Sequence, residues 1–224
     1  MPDLSSLYRY RFVEAERSKK LEIWREICRG YLQKKIGQDQ VILDLASGYG
    51  EFSQNIVAKR KIAVDLNPDA REMLPAEAEF HNVSATDFAD AVGENSVDVV
   101  FTSNFLEHLP TKRELDLVFN QVMRVLKPGG RFMILGPNIK YLAGDYWDFY
   151  DHYLPLSHLS VEEGLAQSGF DVLEIIPKFL PYSTRSALPQ APIFVSTYLR
   201  LPLAWKVFGK QFLVTGQKPQ PAEG

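Results

Sequence analysis

Residues able to do chemistry gather in a few stretches of this 224-residue chain. The first is Val41-Ile42-Leu43-Asp44-Leu45-Ala46-Ser47-Gly48-Tyr49-Gly50, an apolar run closed by small residues. Glycines at 48 and 50 let backbone approach a ligand closely, because a side chain at either position would occupy that space. A second apolar run, Lys61-Ile62-Ala63-Val64-Asp65-Leu66, ends on a carboxylate. In a sheet of parallel strands Asp65 comes beside the glycine loop, where it can accept hydrogen bonds from both hydroxyls of an adenosine ribose. Asp65 could instead cap the next helix, a task that suits Asn67, ahead of Pro68, better.

Two cofactor classes use such a loop, and they ask different things of it. A pyrophosphate wants G-x-G-x-x-G at a helix N-terminus, with a third small residue for close helix packing. Here Ser53 holds that third position, and Glu51 opens the helix with a charge that repels a pyrophosphate while suiting the helix dipole. A zwitterionic amino acid with a sulfonium tolerates it, which favours S-adenosylmethionine over NAD.

Further on, Thr102-Ser103-Asn104-Phe105-Leu106-Glu107-His108-Leu109 carries a histidine where a strand meets the rim of a site. His108 can deprotonate an acceptor or only hydrogen-bond the chain. The segment 141–158 interleaves Tyr146 and Trp147 with Asp148, Asp151, His152 and His158. Such residues stack on sugar or ring faces and bond hydroxyls, unless the aromatics fold inward as a structural lid. His108 and His152 are the candidate catalytic groups, and Tyr146, Trp147 and His158 the candidate acceptor contacts. His152 and His158, with the nearby carboxylates, fit no standard ligand spacing, so no metal is expected.

These groups need elements to position them. Apolar residues at helical spacing predict an amphipathic helix from Val13 to Ile36, with the single cysteine, Cys28, on its buried side. Strands are expected at 41–45, 61–66, 80–83, 97–102, 131–135, 170–176 and 211–215. Between them lie helices at 51–58, at 69–74 and from Thr111 to Leu126, the last with Leu115, Val118, Phe119, Val122 and Leu126 facing inward. Lys127-Pro128-Gly129-Gly130 reads as a turn, and Ser160 as the N-cap of a later helix with Glu163 three residues on. Alternating strands and helices imply a doubly wound α/β sheet with ligands at the strand C-terminal ends.

From Val41 to about Leu135 the chain resembles the class I S-adenosylmethionine-dependent methyltransferases, of the small-molecule and glycan (type 11-like) kind. The likeness is carried in order by Asp44 to Gly50, Asp65, Ala85-Thr86-Asp87-Phe88, the 102–109 segment and Leu126-Lys127-Pro128-Gly129-Gly130. Ala46 stands where the family has its first glycine. The resemblance implies a Rossmann-like seven-stranded sheet of order 3-2-1-4-5-7-6, strand 7 antiparallel, with helices on both faces. It also implies a site: Asp44, Ala46, Ser47, Gly48, Gly50 and Asn104 around the methionine end, Asp65 and Leu66 at the ribose, Asp87 at the adenine amino group and Phe88 on the adenine face. The organisation expected is one domain over 1–218, with a helical cap at 1–37, an aromatic lid at 141–158, a basic and apolar insertion at 178–210 and a disordered tail at 219–224.

Bulk composition narrows the partners. With 46% hydrophobic and 24% charged residues and a net charge of −3, nothing calls for nucleic acid. No Asp or Glu falls between Glu174 and Glu223, while lysines and arginines recur among apolar residues there. That pattern suits a peripheral contact with an anionic inner membrane surface, or merely a cover for the sheet edge. The expectation is a cytoplasmic transferase (EC 2.1.1.-) that O-methylates a saccharide, a lipid-linked sugar or another small-molecule hydroxyl. An NAD(P)-dependent oxidoreductase and a non-catalytic cofactor-binding module are the alternatives.

Overall fold

A computed structural model describes residues 14–182 and 192–221; the start of the expected cap and the end of the expected tail lie outside these described residues. Helix α1 (Glu14–Ile27) continues through a π-helical turn at Cys28–Leu32 and a last turn at Gln33–Lys35. Then come β1 (Val41–Leu45), α2 (Glu51–Asn55), β2 (Arg60–Val64), β3 (Glu79–His81), α3 (Ala89–Val92), β4 (Val97–Ser103), α4 (Lys112–Val125) and β5 (Leu126–Pro137). The chain continues with α5 (Ile139–Leu142), α6 (His158–Gln167), β6 (Asp171–Ile176), α7 (Pro192–Leu199), α8 (Pro202–Phe208) and β7 (Gln211–Gln217).

The seven strands form one sheet of order β3-β2-β1-β4-β5-β7-β6, parallel except for β7, which runs antiparallel to both neighbours. Alternation along each strand feeds two cores. Leu43, Val100, Phe132, Ile134 and Val214 point to the face covered by α3, α4 and α6. Ile42, Val99, Phe101, Met133 and Leu213 point to the other, covered by α1, α2 and the α7–α8 pair. Both faces are dry, as near-continuous apolar strands require. Helix α4 shows the same logic at period 3.6: Leu115, Val118, Phe119, Val122 and Val125 are buried, while Thr111 caps its start by accepting from the Glu114 amide. Full burial of such a side chain contributes about 1.5–3 kcal/mol. Cys28 is buried, as its helical position implied.

Three local expectations are corrected. Helix α2 stops at Asn55, because the Gln33 side chain takes both the amide and the carbonyl of Val57 and holds the chain extended on its way to β2. Residues 127–130 are no separate turn: β5 begins at Leu126 and carries them as an irregularity in its pairing with β4, tied by Lys127 Nζ to Asp98 at 2.7 Å. The cap of α6 is Ser157, whose hydroxyl accepts from the Ser160 amide while the Ser160 hydroxyl answers the Ser157 amide. Ser160 thus plays the part of the capping box's distal member, three residues into the helix.

Candidate active site

The loop after β1 turns on three left-handed residues, Ala46 (φ 57°), Gly48 (φ 54°) and Gly50 (φ 70°). Ala46 therefore keeps the backbone shape of a glycine, at about 1–2 kcal/mol of steric cost. A Cβ on Gly48 would meet nothing within 4 Å, so the space above it is open. A Cβ on Gly50 would stand 3.0 Å from Leu74 Cδ2 and 3.2 Å from the Met73 carbonyl. Gly48 thus combines a left-handed backbone with open space that leaves room for a ligand, whereas Gly50 is small because the chain itself packs there.

Asp65 is 9% exposed and binds the loop directly. Its Oδ2 accepts from the Gly48 amide at 2.7 Å and its Oδ1 from the Asn67 amide at 2.8 Å. Asn67 in turn caps the 3-10 turn at Pro68–Met73 by accepting from the Asp69 amide. Asp65 is a loop organiser with lone pairs to spare, and the capping role falls to Asn67 as argued above.

Asp44, at the end of β1, is buried and accepts from the Ser53 hydroxyl at 2.7 Å. Burial lifts its carboxyl to about 7, against the lowering effect of that hydrogen bond. Ser53 is fully buried, so the position that a dinucleotide loop gives to glycine here anchors an acid. Glu51 is paired with Lys20 of α1 at 2.8 Å. Lys20 and Arg17, which lies 5.2 Å over the Tyr49 ring, are site residues that sequence reasoning missed; a paired helix–loop charge has no local signature. Between α1 and the loop lies a cavity of about 190 Å³ lined by Arg17, Ser18, Leu21, Tyr49, Glu51 and Gln54. Beside it the buried Ser47 Oγ has no hydrogen-bond partner among the described residues. An orphaned hydroxyl, an open glycine and a bracing carboxylate fit an adenosine cofactor with an amino-acid end.

Past β2, Leu66 is 56% exposed, and Asp87 is exposed on the loop after β3. Phe88 corrects an expectation: it is wholly buried in the core with Leu43, Leu45 and Val64, and presents no face to an adenine. Asn104 is exposed after β4 in a left-handed conformation (φ 48°), its amide held by the Leu135 carbonyl at 2.9 Å. A non-glycine residue held there stores strain of the kind found at binding sites.

The lid is docked on the β4 loop, where one carbonyl takes two of its amides. Glu107 O accepts from the Tyr153 amide at 2.9 Å and from the Leu154 amide at 3.1 Å. This brings His152 to His108, ring centres 5.0 Å apart and edge to face. His108 Nδ1 lies 2.9 Å from the Asp151 carbonyl oxygen and 3.3 Å from its carboxylate. The Glu107 carboxylate, 2% exposed, completes the group, and burial lifts it to about 7, with His108 acting the other way. Glu107 was not among the expected site residues, although an acid flanked by Phe105, Leu106 and Leu109 was an available signal; Asp151 was expected only as a lid group able to bond hydroxyls.

Two expected acceptor contacts are structural. Tyr146 is fully buried; its hydroxyl donates to the Leu154 carbonyl and accepts from the Leu156 amide. His158 is 6% exposed, with Nδ1 2.9 Å from Asn138 Nδ2, and burial lowers its pKa. Trp147, by contrast, is 52% exposed, and Tyr150 and Tyr153 are also exposed on the lid.

The fold is the Rossmann-like one of the class I methyltransferases. Residues 43–134 match the model of a methyltransferase domain, a match that supports a class I S-adenosylmethionine-dependent methyltransferase with S-adenosylmethionine as cofactor. An uncharacterized methyltransferase of Mycobacterium leprae is 31% identical over 110 residues, 44% of this chain and 39% of that one. The match therefore spans about two fifths of the relative's length. A methyltransferase structure from Archaeoglobus fulgidus superposes with TM-score 0.65 at 20% identity, over 96% of this chain and all of that one. The cyclase SpnF shares the fold as well, with TM-score 0.60 at 16% identity, over 94% of this chain and 84% of that one.

Proposed function

We propose that the protein is a methyltransferase that O-methylates a small-molecule hydroxyl, that of a saccharide or a lipid-linked sugar. The observation that carries this reading is the docking of the lid on the Glu107 carbonyl. It assembles Glu107, His108, Asp151 and His152 at the C-terminal end of β4, the edge on which the glycine loop also opens. A group able to take up a proton matters less for a thiolate or neutral amine, which is nucleophilic as it stands, than for a hydroxyl, which is a poor nucleophile until its proton leaves.

S-adenosylmethionine supplies an electrophilic methyl for in-line displacement. The chain's residues supply alignment and proton handling. Asp65, Gly48 and Leu66 hold the nucleoside, with Asp87 toward the adenine. Asp44, Ala46, Ser47, Gly50 and Asn104 shape the loop and the amino-acid end, where Arg17 and Lys20 offer positive charge. His108, with His152 beside it, is the proton acceptor, oriented by Asp151. Trp147 and its exposed lid neighbours Tyr150 and Tyr153 provide faces on which a sugar ring stacks.

The lipid-linked form of the acceptor draws support from α7 and α8. Their inner faces are structural: Leu199 is buried, and the Trp205 indole donates to the Tyr198 carbonyl. Their outer faces expose Ile193, Phe194, Leu203, Val207 and Lys206, and the junction between them exposes Arg200 and Leu201. No helix among the described residues is long and apolar enough to cross a membrane. An apolar face fringed with cations suits the surface of an anionic bilayer. The test is transfer of an isotopically labelled methyl group to a panel of saccharides and glycolipids in anionic vesicles. Label on an acceptor oxygen supports the reading; label on carbon or on protein alone overturns it.

A further inference from the structure

Glu107, His108 and His152 hold one ligand atom each within 4.8 Å of one another, and Glu107 and His152 are more than nine-tenths buried. We propose that these three side chains form a binding site for a divalent transition-metal ion, set at the acceptor end of the domain. Two imidazoles and a carboxylate are a donor set that such ions take.

The orientation of His108 supports this beyond mere proximity. Its Nδ1 is engaged by the Asp151 carbonyl oxygen at 2.9 Å, with the Asp151 carboxylate at 3.3 Å. An N–H donated there fixes the tautomer and leaves Nε2 as a lone-pair donor, the arrangement that orients metal-bound histidines. Nε2 stands 4.0 Å from Glu107 Oε1, too far for a hydrogen bond. A tetrahedral ion with ligands at about 2.1 Å sets its donors about 3.4 Å apart, so modest side-chain movement closes the site. The lid also positions the site, since His152 directly precedes Tyr153 and Leu154, whose amides hold the Glu107 carbonyl. The expectation of no metal considered His152 with His158; the structure pairs His158 with Asn138 instead and brings in Glu107 and His108.

The existence of this site is independent of the reading above, whereas its role rests on it. An acceptor hydroxyl that joins the ion as a further ligand releases its proton to solvent, and the ion then takes over the task assigned above to the imidazoles.

Chelator-treated protein titrated with cobalt(II) tests the proposal through visible absorption. Saturation at one ion per chain is expected, with displacement by zinc. Glu107→Gln, His108→Asn and His152→Asn should each weaken binding by about a hundredfold or more, with circular dichroism confirming the fold. Asp148→Asn, on the exposed part of the lid, should leave binding unchanged. Absence of saturable cobalt binding to the wild-type chain, or binding that survives all three ligand substitutions, overturns the site. Calorimetry with S-adenosylmethionine on the same samples keeps the two readings apart: cobalt bound without cofactor affinity sinks methyl transfer alone, and cofactor bound without cobalt sinks the metal alone.

Discussion

Asp65 meets Gly48 across 17 residues of chain, whereas His108 meets Asp151 across 43. The cofactor half of the site is thus built from neighbouring β–α units, whose strand order and glycines dictate the geometry. The proposed acceptor half depends on the segment inserted after β5, which folds back onto the loop after β4. The first half is a backbone device, with left-handed turns and a bracing carboxylate. The second is a side-chain device, with buried acids and imidazoles around one doubly used carbonyl. A fold can keep the first and vary the second, which is why the fold alone leaves the acceptor open.

Substitutions should separate the halves. The largest effect on stability is expected at Gly50: Gly50→Val puts a β-branched residue at positive φ against Leu74 and the Met73 carbonyl, costing about 3 kcal/mol or more in denaturant unfolding. Gly48→Ala, with open space around its Cβ, should cost about 1–2 kcal/mol while lowering cofactor affinity. If both destabilise equally, the distinction between packing and ligand glycines fails.

In the acceptor half, Tyr146→Phe leaves the Leu156 amide and the Leu154 carbonyl without their buried partner. It should cost about 1–3 kcal/mol and slow turnover, without changing cofactor affinity. Trp147→Ala, half exposed, should leave the melting temperature within error and raise the acceptor KM.

The Asp44 carboxyl makes a prediction about pH. Its folded pKa is raised from 3.8 to about 7, so its contribution to stability is fully present below the unfolded value and is lost as pH rises through about 7. Asp44→Asn should therefore gain on the wild type, in cofactor-free protein, as pH climbs through that window. The gap should reach a few kcal/mol at most, on the order expected of a pKa shift this large. A gap that stays constant with pH would show that the carboxyl is not buried in this way. The smallest effect on stability belongs to Leu203→Glu on the outer face of α8, expected within about 0.5 kcal/mol. That variant should instead abolish flotation with anionic vesicles.

The same contrast governs what the sequence makes legible. β1, β2, β4 and α4 are read almost to the residue, because hydrophobic period and punctuation are local quantities. Asp65 and Gly48 are found for the same reason. Tyr146, His158 and Phe88 are read as ligand contacts and prove to be core or lid supports, since amino-acid type does not reveal which way an aromatic faces once a lid folds. Ser157 and Ser160 show the limit at finer scale: two serines three apart exchange hydrogen bonds, and the pattern alone leaves open which of them caps. Glu107 and Lys20 escape notice because their partners lie on other elements.

The central claim is that the loop braced by Asp65 holds S-adenosylmethionine. Calorimetric titration of the cofactor and of its demethylated product into the wild type and Asp65→Ala tests it most directly. The account predicts saturable binding at one site per chain, weakened about a hundredfold or more once the Gly48 and Asn67 amides lose their acceptor. Equal affinity in the two proteins, or no binding to the wild type, would contradict it.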